Sequence, residues 1–598
     1  MPQDPKKKIP INYTNREFEG IRRDLEQIAE RFYPESFQDF SEASFGSIVL
    51  DSIAYVGDQL SFYLDYNVNE MFLDTSYQYT NVLRHGRILG YKNQGRASTF
   101  GVVSLYVLVP ASTVGLGPDE NYLPILKRGS RFTSQNGLNF VLTDNVDFSD
   151  AKNQVVVASV DSATGAPTFF AIRAYGNVVS GFFKRETYTC GDFERFKLIE
   201  IDSDNVSEII SVTDSEGNEY FEVENLSQDL IYREFSNNNF KDENAPSIMK
   251  PFLVSRKFIS FTERTRTFIQ FGSGNPNESD VVADPQKVAM NLFGKSYVTD
   301  TTFDPTKLTK NQNFGIVPTN TTLEIIYRVT NPSNSNVAVG ALNKVSSANF
   351  EFKDRPTLLT SKVNNVISSL EVTNEKPITG DISTPTSGEI KRRIYDSFAT
   401  QNRAVTQVDY ENLAYRMPSK FGAIKRCSVQ KDPDSLKRNL NMYVVSEDSF
   451  GKLTLANNTI KKNLKVWLNQ HRMINDTVDI IDPFILNIGV NFVVSAREGV
   501  NKFDLNQRCV QEIGRRFGTP FYIGEDINIS EMYKELGKVP GVYEVLMIKL
   551  INKSGTNYAS NSIDINKNLS PDGSKLIVPK NAVVEIKYPD TDIKGQVK

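Results

Sequence analysis

The stretch Val82–Val109 reads VLRHGRILGYKNQGRASTFGVVSLYVLV, and a change of period inside it decides the fold. Its first nine residues form a short helical run ended by Gly90, the residue type best suited to the left-handed turn that closes a helix. Beyond that glycine, Val103, Leu105, Val107 and Val109 alternate with period two, the mark of a strand with one buried face. Helical sequence lies upstream of this point and strand sequence downstream.

Upstream, the spacing predicts a helix over residues 14–34. Thr14 and Glu17 form a capping box, in which each side chain satisfies a backbone N–H of the other's region. Phe18, Ile21, Leu25, Ile28 and Phe32 follow at intervals of 3, 4, 3 and 4, which places them on one face. A second helix is expected over Ser47–Leu73, with the stripe Val49, Ile53, Val56, Leu60, Tyr63, Asn67 and Met71, and a third over Ser76–Leu89. An isolated helix of about twenty residues is marginal in water, so these stripes need covering. Burying each large side chain stabilises by about 1.5–3 kcal/mol. The cover could be another of these helices, the β section or another chain, and periodicity alone leaves all three open. The aromatics Tyr55, Phe62, Tyr63, Tyr66, Phe72, Tyr77 and Tyr79 crowd the same region and read as a core or a helix–helix interface.

Downstream, strand-like runs recur at Phe140–Leu142, Gln154–Val160, Thr168–Arg173, Phe196–Ile201, Glu208–Val212, Leu253–Phe261 and Thr267–Phe271, separated by clusters of Asn, Asp, Ser and Gly. Thr373–Glu389, with two prolines and two glycines, reads as a linker. Helical signal returns at Glu389–Thr400. Thr406 and Asp409 cap a helix that runs to Met417. Strands at Ile424–Gln430 and Leu440–Val445, a helix at Leu455–Gln470 and a strand at Ile485–Ser495 follow. A similar order closes the chain, with helices Leu505–Phe517 and Ser530–Leu536 and strand Val542–Lys549. The expected fold class is α+β and multidomain: a helical N-terminal region, a β-rich middle and small C-terminal α+β sandwich domains. The expected divisions are 1–95 (helical, bundle-forming), 96–330 (β-rich), 331–388 (connecting segment and linker), 389–482 (α+β) and 483–598 (C-terminal α+β).

At 598 residues the chain is long enough for several domains of about 100–200 residues each. Its 68 basic against 72 acidic residues leave a net charge of −4, without the basic excess of a nucleic-acid binder. No apolar run approaches a membrane span and no secretory h-region follows Lys6–Lys8, so no membrane partner is expected. Cys190, Cys427 and Cys509 are too few and too scattered for a disulfide framework or a zinc knuckle. Only His85 and His471 could serve a triad or a metal, and both fall at helix ends. Phe271-Gly272-Ser273-Gly274 lacks the third glycine of a dinucleotide loop and any Gly-Lys-Ser/Thr, and reads as a strand-end turn needing positive φ. Asp432 with Asp434, and Asp204, Asp214 and Glu216, fit neither an acid–base pair nor a calcium loop. No catalytic, cofactor or metal residues emerge, and no enzyme activity is expected.

Several segments resemble the baseplate J-like family, in particular the wedge proteins of T-even-like contractile phage tails. Arg392-Arg393-Ile394-Tyr395 leads into Phe398-Ala399-Thr400-Gln401-Asn402-Arg403-Ala404-Val405-Thr406-Gln407-Val408-Asp409-Tyr410-Glu411-Asn412-Leu413-Ala414, similar to the family's basic helix, R-A-V-T turn and D-Y-E. Phe271-Gly272-Ser273-Gly274, then Pro318 and Leu323–Tyr327, resemble its F-G-D-G, proline turn and strand, with Ser273 in place of Asp and an insertion over Asn275–Gly315. Leu126–Phe132 and Val539-Pro540-Gly541-Val542 are weaker matches. The resemblance implies structural roles for Phe271, Gly272, Gly274, Arg403, Thr406, Asp409 and Tyr410. It also implies a non-enzymatic virion component assembled in the host cytoplasm. Such a protein would pair with itself as a dimer and as ring neighbours, and would meet other wedge subunits through its N-terminal helices. It would also contact the hub and sheath-proximal proteins, and relay the change that triggers sheath contraction and genome ejection. On that view Phe18, Ile21, Leu25, Ile28, Phe32, Val49, Ile53, Val56 and Leu60 form the partner-helix interface. The alternative is a receptor- or glycan-binding tail protein using the polar β section; a glycan hydrolase ranks last, because no carboxylate pair stands out.

Overall fold

A computed structural model describes residues 16–33, 35, 44–93, 95–113, 117–236, 247–263, 265–275, 314–331, 334–433 and 439–598. Its longer helices are α1 (Phe18–Phe32), α2 (Phe45–Glu70), α3 (Tyr79–Ile88), α4 (Thr360–Ser368), α5 (Ser387–Thr400), α6 (Gln407–Tyr415), α7 (Asn458–Asn469), α8 (Lys502–Phe517) and α9 (Ile529–Gly537). The fold is α+β and multidomain, with helices first and a β-rich middle. The chain divides into two compact units: Met1–Tyr91 with Pro385–Tyr395, and Lys92–Thr384 with Asp396–Lys598.

In the first unit α1 starts at Phe18, with Glu17 as an N-cap that makes no side-chain cap bond. The Thr14 half of the expected capping box lies outside the described residues. α2 starts ahead of the expected Ser47, because the Ser44 hydroxyl accepts the Ser47 N–H at 3.1 Å. Gly90, at φ 84°, closes α3 as expected. Val82 and Tyr91 pack with Ile390 and Ile394 in a small core. A side chain at Gly86 would come within 2.8 Å of Ile394, so glycine permits that helix approach.

The second unit holds two seven-stranded sheets. One runs Leu342–Ser347, Arg131–Ser134, Asn139–Leu142, Pro167–Ser180, Phe100–Pro110, Glu371–Thr373, with Gln154–Val160 on the first half of Pro167–Ser180. The period-two residues Val103, Leu105, Val107 and Val109 are fully buried, in one core with Val363 and Val366 of α4. The other runs Phe182–Thr189, Thr322–Val329, Val206–Asp214, Glu219–Glu222, Lys257–Glu263, Arg266–Phe271, Leu198–Glu200. The single strand expected over Leu253–Phe261 is instead two, Ser247–Leu253 and Lys257–Glu263, because each pairs with a different neighbour.

The 331–388 stretch, expected as connecting segment and linker, differs most from its reading. It supplies a strand at each end of the first sheet and helix α4. Within the linker proper, Asn374, Ile378, Thr379 and Asp381 are buried. Asn374 Oδ1 accepts the Leu342 N–H at 2.9 Å, and Asp381 pairs with Arg96 at 2.9 Å. Proline and glycine here serve a strap laid along a sheet edge, through bridges Phe100–Thr379 and Val337–Ile378, and not a free tether.

Farther on, Arg426–Lys431, Asn439–Glu447, Leu453–Leu455 and Thr477–Ile481 form a four-stranded sheet whose core is shared with α6 and α7. The C-terminal sheet centres on Phe484–Ala496. That strand is antiparallel to Val542–Asn552 and parallel to Ala582–Glu585 and Ile593–Val597, with α8 and α9 contributing to its core.

Candidate assembly interface

Helices α1 and α2 pack as an antiparallel pair through an unusual choice of faces. Arg16 reaches Asp65 at 2.5 Å, and Arg22 reaches Asp51 at 2.8 Å and Ser47 at 3.2 Å. A Cβ at Gly57 would lie 3.1 Å from Ile21. The α2 face turned to α1 therefore carries Ser47, Asp51, Ala54 and Gly57, small or polar residues of which Ser47 and Ala54 are buried. Seven residues span almost two helical turns, so this face excludes the apolar stripe by geometry.

The stripe on the other side of α2 stands in solvent. Val49, Ile53, Val56 and Leu60 are 40%, 50%, 55% and 58% exposed. Tyr55, Phe62, Tyr63 and Leu64 are exposed as well. Phe18, Ile21 and Leu25 of α1 are half-buried, whereas Ile28 and Phe32 are exposed, so α2 covers only part of the first stripe. Exposed apolar side chains gathered on one helix are a candidate for an interaction site.

The end of α2 is fastened by a residue that sequence reasoning missed. Glu70 is buried, and its carboxylate accepts the N–H groups of Tyr77 at 2.7 Å and Gln78 at 3.2 Å and the Asn81 side chain at 2.8 Å. These bonds, the one from Asn81 foremost, hold its carboxyl below the ordinary range against the opposing pull of burial. The charge also suits the N-terminal end of α3, whose N-cap Gln78 makes no side-chain cap bond. The one available signal was a carboxylate at the end of an apolar helix, a short turn before the next helix start. His85 Nε2 lies 2.8 Å from the Glu70 carbonyl oxygen, a helix-end contact.

The family-motif residues lie in the second unit. Phe271 is buried and meets Tyr220 edge to face at 5.4 Å. Neither Gly272 nor Gly274 has positive φ, contrary to the turn expected there. Gly272 is required by a close approach: a Cβ on it would come within 1.9 Å of the Phe314 carbonyl oxygen. Gly274 donates to Gly315 O and accepts from Val317 N–H, both at 2.9 Å, so the motif clasps a neighbouring segment. The left-handed positions in the other motif are Gln401 and Asn402. Arg403 is exposed. Thr406 and Asp409 form the expected capping box, with Thr406 N–H 2.8 Å from Asp409 Oδ2 and Asp409 N–H 3.3 Å from Thr406 Oγ1. Burial pushes the Asp409 carboxyl up, but the N–H groups of Thr406 and Val405 outweigh it and hold it below the usual range. Tyr410 is buried and donates to Asp476 at 2.9 Å.

The three cysteines are buried and free. His471 Nδ1 lies 3.0 Å from the Asn402 carbonyl oxygen, and its ring meets Trp467. Among the described residues, no group of His, Cys, Asp and Glu could hold a metal ion, and no helix is long and apolar enough to cross a membrane.

The α1–α2–α3 region has a counterpart among known families. Residues 18–88 match the family model of the bacteriophage baseplate protein, N-terminal domain. The match takes in all three helices, and it supports a structural, baseplate-related role in a virion tail. No curated relative matches the chain. Among solved structures the chain is similar to one from the anti-feeding prophage baseplate, at 9% identity over 96% of this chain and 99% of that chain, with a TM-score of 0.27. It is also similar to one from the type VI secretion system TssK-TssF-TssG baseplate subcomplex, at 9% identity over 73% of this chain and 96% of that chain, with a TM-score of 0.24. TM-scores this low leave both likenesses without weight for fold or function.

Proposed function

We propose that this protein is a structural subunit of a contractile-tail baseplate wedge and joins its neighbours through the exposed face of the α1–α2 hairpin. The observation that carries the reading is the reversed amphipathicity of α2, small residues inward and Val49, Ile53, Val56 and Leu60 outward. Half-exposed aliphatic side chains in register are what a helical bundle takes up, and their burial offsets association costs of about 4–15 kcal/mol only when several act together. In this reading residues 1–95 enter a bundle with other wedge subunits, and Phe18, Ile21, Leu25, Ile28 and Phe32 complete the contact. The chain pairs as a dimer, and its C-terminal α+β domains, 483–598 above all, contact neighbouring copies to form the inner ring around the hub. That ring passes the change of shape to sheath-proximal proteins. Assembly takes place in the host cytoplasm, and the chain acts mechanically, without a catalytic site.

The test is the full chain carrying Val56→Asp and Leu60→Asp, co-expressed with the neighbouring tail proteins. The expected outcome is loss of co-purification at an unchanged thermal midpoint for the chain alone, because both side chains are already in solvent. Co-purification at the wild-type yield would refute the hairpin as the joining element.

A further inference from the structure

We infer that the free edge of the strand Gln154–Val160 is a docking site for a second copy of this chain, which adds its own Gln154–Val160 strand antiparallel and makes one sheet of two. This rests on the self-pairing in the proposed function, names a surface for it, and does not involve α2. The strand pairs with Pro167–Ser180 along one edge, and among the described residues nothing pairs with the other. All seven of its residues are exposed, with Val155, Val156, Val157 and Val160 between 45% and 63%. Its register is regular over Gln154–Val157, ahead of a bulge at Ser159.

An open edge invites pairing, and proteins blunt edges with charge, proline or short length. The outermost strands of the two large sheets follow that rule. Phe182–Thr189 carries Lys184, Arg185 and Glu186, Leu342–Ser347 carries Lys344, and Glu371–Thr373 and Leu198–Glu200 are three residues long. Gln-Val-Val-Val-Ala-Ser-Val departs from it, with no charge, no proline and four β-branched valines.

Charge at the two ends selects the occupant. Lys152 precedes the strand and Asp161 follows it, both exposed. Asp161 is held ionised by the Ala163 N–H, which its carboxylate accepts at 2.8 Å. An antiparallel second copy about a twofold axis brings each Lys152 towards the other copy's Asp161, twice by symmetry. A parallel copy would set lysine beside lysine and aspartate beside aspartate. The edge is thus self-complementary in backbone, side chain and charge.

Site-directed cross-linking of the full chain tests this, because Cys190, Cys427 and Cys509 are buried and leave introduced cysteines as the reactive ones. Chains with Lys152→Cys and chains with Asp161→Cys are mixed and treated with a short bis-maleimide. The expected result is several-fold more cross-linked dimer in the mixture than with either variant alone. No excess in the mixture overturns the proposal. In sedimentation equilibrium, Lys152→Asp weakens self-association by about 2- to 30-fold, and adding Asp161→Lys restores it. Self-association unmoved by the single reversal also overturns it. Carried on the Val56→Asp, Leu60→Asp background, the Lys152→Cys and Asp161→Cys mixture cross-links as strongly as it does without those two changes, so failure here and failure of the hairpin reading are told apart.

Discussion

In α8, Leu505, Cys509, Ile513 and Phe517 recur every four residues and all are buried in the C-terminal core. In α2, Val49, Ile53, Val56 and Leu60 recur at intervals of 4, 3 and 4 and all stand in solvent. The two stripes follow the same rule of spacing. What separates them is the opposite face of each helix. α8 shows its polar face, including Arg508 and Arg515, to water, and α2 uses its small and polar face to seat α1. A period states which residues share a face. It does not state which face the fold covers, and where the fold covers the polar one, the apolar one is left exposed.

The largest effect expected from this contrast is at Ile513. Ile513→Ala removes a side chain with no solvent exposure and should cost about 2–5 kcal/mol, read as an early urea transition of the C-terminal core. A cost near zero there would abolish the distinction between the two helices. Gly272→Ala comes next, at about 1–3 kcal/mol, because backbone must move to admit the methyl group. Thermal melts of the two variants rank packing against close approach.

A smaller effect is expected where a helix is held by its cap. Thr406→Ala should cost about 0.5–2 kcal/mol in urea unfolding, the usual worth of a cap. Asp409 adds a pH dependence with a definite sign. Its folded carboxyl titrates below the ordinary aspartate value of about 3.9, so its contribution is complete above that value and is lost as pH falls through the folded one. Asp409→Asn should remove that part of the acid-side fall in stability and leave the remainder. The smallest effect belongs to the stripe itself: Leu60→Ala in the isolated chain should stay within about 0.5 kcal/mol of wild type. A loss matching that of Ile513→Ala would mean that α2 is covered within the chain after all.

Much of the fold could be read from residue order. The helices around Phe18–Phe32 and Lys502–Phe517, the strand through Val103–Val109, the cap at Thr406 and the stop at Gly90 all follow from local rules. The misreadings share one cause. Thr373–Glu389 has the composition of a linker, yet Asn374 and Asp381 are drawn inward by partners as distant as Leu342 and Arg96. Gly272 signalled a turn, and its real constraint is a carbonyl some forty residues along the chain. Glu70 carried no motif, because its role depends on where α3 begins.

By itself the sequence determined the type of each element, the residues sharing each face and the absence of any recognisable catalytic motif, since these depend on neighbours within a turn or two. Tertiary structure alone decided that α2 turns its small residues inward, that a proline-bearing strap lies along a sheet edge and that, among the described residues, one valine-rich edge stays open. Those outcomes depend on which distant surfaces meet, and burial is a property of the pair of surfaces, never of one segment.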